Sequence, residues 1–169
     1  MSPRRLLPDE PLPPYSYVPG RFPHPVSDPA GHSYGAQPAS VEFDPKRWRD
    51  CRAYLRGIDL FNHGYYWEAH EVWEQLWHAV GRHGVYADFF KGLIQLAAAG
   101  VKRREGVEEG VRNHARRALE LFRTVEPVED GKFMGLKQAD LEAIAAEFTS
   151  RPGSIHDDGH DRFCLTIML

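Results

Sequence analysis

At 169 residues the chain has the length of one domain and can bury a substantial core without disulfide or metal staples. Its 42% hydrophobic and 27% charged residues are ordinary globular values, and a net charge of -3 speaks against a dedicated nucleic-acid or anionic-membrane surface. Cys51 and Cys164 form no CxxC, the opening MSPRRLLPDEPLPP holds no apolar signal core, and the longest apolar run, GLIQLAAAGV at 92–101, cannot span a bilayer. The expectation is a reduced, soluble, cytoplasmic protein with neither nucleic acid nor membrane among its partners.

Eleven of the thirteen prolines fall at or before residue 45, so residues 1–43 read as an extended, non-helical arm. Tyr15, Tyr17, Val18, Phe22, Tyr34 and Phe43 recur through it, which is unlike a disordered tail and predicts that it lies on the folded body. Residues 44–150 read as a helical bundle. Asp44 followed by Pro45 is a helix start, and Trp48, Cys51, Tyr54, Leu55, Ile58 and Phe61 continue at helical spacing until Gly64. A second helix covers about Tyr66 to Val80, ended by Gly81 and Gly84. The third, about Val85 to Arg104, is apolar around most of its circumference and reads as the central helix. A fourth runs from about Glu108 to Val125 before Pro127, and a fifth from about Lys137 to Phe148. No segment alternates strongly enough for a strand. The predicted fold class is therefore all-α: a single-domain bundle of about five helices with a proline-rich N-terminal arm and a C-terminal tail at 151–169.

The chemistry concentrates in WEAHEVWEQLW, residues 67–77. On a helix, Ala69, Val72, Trp73, Leu76 and Trp77 fill an arc facing the core, while His70 and Glu74 stand four apart on its shoulder. His78 continues that row, and Glu71 lies three residues before Glu74. HExxE resembles the zinc helix HExxH with a carboxylate in place of the second histidine, so His70 and Glu74 are candidate ligands of a divalent metal and Glu71 a candidate general base. Three readings stay open: a metal site, a metal-free small-molecule site, and a structural cluster whose groups bond one another. In the last, the chain is a non-catalytic interaction or homodimerisation module.

The third helix supplies a polar stripe of Asp88, Lys91, Gln95 and Lys102, facing either solvent or a cavity. In the second case Lys91 neutralises Glu71 or Glu74 and Gln95 orients a bound small molecule. From the arm, the stiff stretch PGRFPHP at 19–25 is predicted to seat Phe22 between helices and bring Arg21 or His24 to the acidic shoulder, so Arg21 joins the candidate binding residues. Seven Lys or Arg against four Glu in residues 102–123 form a mild basic patch, read as solvated helix faces. His156, Asp157, Asp158, His160 and Asp161 have the composition of metal ligands but sit in a glycine-containing tail.

The run FNHGYYWEAHEVWEQLW, followed by FFKGLIQLAAAGVKRREG, resembles the all-helical bacterial and archaeal family known as domain of unknown function 309, over about residues 45–125. The matching positions are Asn62, Gly64, Glu68, Ala69, His70, Glu71, Glu74 and Trp77, then Phe90, Gly92, Leu93, Ile94, Gln95 and Ala97. Where that family has a Gly-Ala pair in the following helix, this chain has His114-Ala115. The resemblance implies a compact helical domain with no established activity, in which His70, Glu71, Glu74 and Gln95 act together.

Overall fold

The structure is a computed structural model and describes residues 3–38, 40–128 and 130–153. A 3-10 segment at Pro45–Asp50 leads into α1 (Arg52–Asn62), α2 (Tyr66–Ala79), α3 (Val85–Glu105) and α4 (Glu108–Thr124). A small hairpin of β1 (Lys132–Phe133) and β2 (Leu136–Lys137) precedes α5 (Gln138–Ser150). The architecture is all-α apart from that hairpin. His156, Asp157, Asp158, His160, Asp161 and Cys164 lie outside the described residues.

The helix expected to run unbroken from Asp44 to Phe61 is instead two. Asp44 caps the first turn by accepting from the Lys46 backbone N–H at 2.9 Å, but Cys51 turns extended (φ -76°, ψ 93°) and α1 begins anew. Side-chain direction supplies the reason. A continuous helix would put Trp48 and Tyr54 on different faces, whereas both are buried here with their rings edge to face at 5.9 Å. The break at Cys51 lets Trp48 fold back over the start of α1.

α3 is the central helix, as its apolar circumference predicts, with Phe89, Phe90, Leu93, Leu96, Ala97 and Ala99 fully buried. Close approach rests on three glycines. A Cβ at Gly57 would fall inside the Trp73 indole, one at Gly100 inside the Tyr66 ring, and one at Gly92 against Phe122. Each glycine thus seats an aromatic ring from the neighbouring helix, joining α1 to α2, α2 to α3 and α3 to α4. At the end of α3, Gly106 adopts φ +77° and lets the Val107 N–H return to the Lys102 carbonyl at 2.9 Å. The hairpin turns at Met134 and Gly135, both at positive φ, with Phe133 opposite Leu136. It closes the end of the core: Phe133 packs 4.8 Å from Phe89, and the buried Tyr54 hydroxyl donates to the Met134 carbonyl at 2.9 Å.

The arm lies across α1 and the start of α2. Leu7 and Val18 are buried, and two carboxylates of the body clamp the chain around them. Asp59, fully buried, accepts from the Leu6 N–H (2.8 Å), the Leu7 N–H (2.8 Å) and Arg5 Nε (3.0 Å). Glu68, 6% exposed, accepts from the Tyr17 N–H (2.9 Å) and from His32 Nε2 (3.2 Å), through the same Oε1. Ser16 Oγ donates to the Gly64 carbonyl at 2.8 Å, and Arg52 reaches Asp9 at 2.7 Å.

These contacts correct the expected docking. Phe22 is not seated between helices: it is 44% exposed and stacks on Tyr15 within the arm at 5.1 Å. Arg21 is exposed and its side chain makes no ion pair among the described residues. His24 packs edge-on against Tyr17 and Trp67, and its Nδ1 accepts from the Val26 and Ser27 N–H groups. The acids that the arm answers are Asp59 and Glu68, because an acid cut off from water needs donors most. Glu71, 43% exposed at its side chain, is served by solvent.

Candidate functional site

His70, Glu71 and Glu74 lie within two turns of α2, each half-buried, at the edge where the core arc of Ala69, Trp73 and Leu76 meets solvent. One ligand atom from each falls within 4.8 Å of the others, the distance at which a single cation could be shared. His70 Nδ1 is 3.4 Å from Glu71 Oε1, inside ion-pair range, yet it is shielded from water and makes no hydrogen bond. Among the described residues no Lys or Arg pairs with Glu71 or Glu74. The cluster therefore holds two carboxylates, one unsatisfied imidazole nitrogen and an open side.

The ladder does not extend to His78, which is exposed and accepts at Nδ1 from Arg82 Nε at 2.8 Å. Lys91 does not take the expected counter-charge role, since its Nζ sits 4.3 Å over the Trp77 ring. Gln95 does face inward, but toward α4: its Oε1 accepts from His114 Nδ1 at 2.7 Å. The stripe on α3 is thus divided between a cation–π contact, an interhelical hydrogen bond and the Lys102–Glu105 pair.

His114 is the residue that spacing alone does not single out. Burial chiefly, and then the charges of Arg117, Lys102 and His70, hold its pKa below the ordinary histidine value. Its one sign in the sequence is that His114-Ala115 stands where the resembled family has Gly-Ala. Asp59, Arg5 and His32 escape a sequence reading for another reason: nothing local marks a carboxylate as buried.

The basic stretch at the end of α3 and along α4 is largely spent within the fold. Lys102 pairs with Glu105, Arg112 with Glu108 at 3.2 Å, Arg116 bonds Asn113 at 2.8 Å, and Arg104 lies 5.4 Å from the Tyr66 ring centre.

Residues 54–114 match the model of the family described as domain of unknown function (DUF309). Over that segment the chain is similar to this family. The matched DUF309 segment starts in α1 and ends at His114, so it contains both arm-binding acids, the whole His70–Glu71–Glu74 cluster and Gln95. It leaves out the arm, the hairpin and α5. No curated protein matches the chain. No helix among the described residues is long and apolar enough to cross a membrane.

Proposed function

We propose that the DUF309-like segment of this chain binds one divalent cation through His70, Glu71 and Glu74 and uses it on a small molecule arriving from solvent. The observation that carries this reading is the convergence of the three ligand atoms within 4.8 Å. One imidazole and two carboxylates suit zinc, manganese or ferrous iron, and three protein ligands leave coordination positions for water and a substrate oxygen. These three residues would hold the metal, which would supply Lewis acidity toward a carbonyl or phosphoryl oxygen and toward bound water. With such a metal bound, Glu71, whose side chain is 43% exposed, would be the candidate general base toward water, and hydrolysis would be the reaction that best suits the set.

Metal analysis of protein purified without an affinity tag, beside a His70→Ala variant, tests the reading. One equivalent of Zn, Mn or Fe, lost in the variant, is the expected result. Protein without stoichiometric metal after incubation with each ion, and a His70→Ala variant changed only in stability, would return the cluster to a structural role in a helical interaction module.

A further inference from the structure

We propose that Ser33, on the arm, is an activated nucleophile that takes the acyl group of an apolar ester, with His32 as its base and Glu68 as the positioning residue. The site is separate from the cation cluster and stands on two contacts in one row. His32 Nδ1 lies 2.8 Å from Ser33 Oγ, and His32 Nε2 lies 3.2 Å from Glu68 Oε1, in the first turn of α2. A carboxylate only accepts, so Nε2 of the neutral ring carries the hydrogen and Nδ1 keeps its lone pair for the Ser33 hydroxyl. A hydroxyl, an imidazole and a buried carboxylate bonded in that order are the parts that activate a serine.

The surroundings serve the same chemistry. The side chains of His32 and Glu68 are each 6% exposed, which keeps water from the relay, while Ser33 is half-buried at the surface of the arm. The Ser33 N–H donates to the Pro25 carbonyl at 2.9 Å and the His32 N–H to the Tyr15 hydroxyl at 3.2 Å, so both side chains leave a fixed backbone. Glu68 Oε1 also accepts from the Tyr17 N–H, but Oε2 is shielded from water and has no partner among the described residues. This carboxylate therefore gains from a positive charge on His32, which appears when the ring takes the serine proton. The Tyr15 ring lies 4.7 Å from the His32 ring and stacks on the exposed Phe22, and the exposed Tyr34 follows Ser33. These rings give the apolar portion of an ester a surface to lie on. Ser33 Oγ bonds to the ester carbonyl carbon as its proton passes to His32 Nδ1. The bond to the alcohol oxygen then breaks, and the alcohol leaves with that proton. Water repeats the two steps on the acyl-serine and releases the acid.

An alkyl fluorophosphonate, which phosphonylates activated serines with loss of fluoride, tests this on the full chain, beside turnover of para-nitrophenyl butyrate. Peptide mass spectrometry should find one phosphonyl group, on Ser33, in the folded chain and none in the chain unfolded in urea. Ser33→Ala should lose both the adduct and the ester turnover yet melt close to the parent, because the His32–Glu68 contact remains. His32→Gln should slow labelling about 10²–10⁴-fold, the usual share of a general base. Glu68→Gln still offers an acceptor to the Tyr17 N–H but brings no charge to the ring, so labelling should slow there too. A carboxylate that only anchored the arm would instead lower the melting temperature and leave the labelling rate of the folded variant unchanged. A parent chain without an adduct on Ser33, an adduct formed as fast in urea, or labelling at the parent rate in folded His32→Gln overturns the proposal. Should His32→Gln not fold, the parent chain in and out of urea decides it.

Discussion

Two sets of acidic residues lie within sixteen positions of each other and are treated in opposite ways. Asp59 and Glu68 are buried, and the arm supplies donors to each: three to Asp59, two to Glu68. Glu71 and Glu74 sit half-buried beside His70 without a basic partner among the described residues. The first pair is held from within the chain, with Glu68 Oε2 alone left without a hydrogen-bond partner among the described residues, and belongs to its architecture. The second has one side open and an imidazole nitrogen left unsatisfied, which is where an external ligand would do what the arm does for the first.

The comparison can be broken by substitution. Asp59→Ala strands Arg5 and two backbone N–H groups, so it should cost about 3–5 kcal/mol, read from urea unfolding. Glu68→Ala removes the shared acceptor of Tyr17 and His32 and should cost less, about 1–3 kcal/mol. Faster hydrogen exchange at the Tyr17 amide would accompany it. If either change were nearly silent, the arm would not be clamped by these acids.

A weaker effect comes from His114. Its folded pKa lies below the ordinary value of 6.5, so the unfolded chain binds the extra proton first on acidification. The contribution of this group is full above about pH 6.5 and declines as pH falls toward the folded value. His114→Asn should flatten that part of the stability profile, and an unchanged slope would mean that the ring is solvated. The smallest effect belongs to Glu71→Gln and Glu74→Gln, each expected to shift stability by less than about 0.5 kcal/mol in the absence of metal. A loss as large as that of Asp59→Ala would erase the distinction between the two sets.

What can be read from the sequence follows how local each signal is. α2 to α5 are legible because their apolar spacing and the stops at Gly81 and Pro127 act within a turn or two. α1 departs from its pattern because Trp48 fits the helical spacing while its burial against Tyr54 demands a break. The arm's aromatic residues signal docking, but they do not say which acids receive it, and the exposed pair is the wrong choice. Residues 57–62 of α1 are buried without interruption since the arm covers the outer face of that helix, and only that cover turns Asp59 into a core residue. The i, i+1, i+4 spacing suffices to bring His70, Glu71 and Glu74 together. It cannot announce His114, whose position depends on how α4 packs against α3.

The clamp also orders events in time. The arm's anchors reach 36 to 54 residues ahead along the chain, from Arg5 to Asp59 and from His32 to Glu68. A ribosome thus releases the arm well before the acids that hold it exist, and those acids are of use only once α1 and α2 have formed a surface. The arm is made before the acids that hold it, and until they emerge its tyrosines and prolines have no seat.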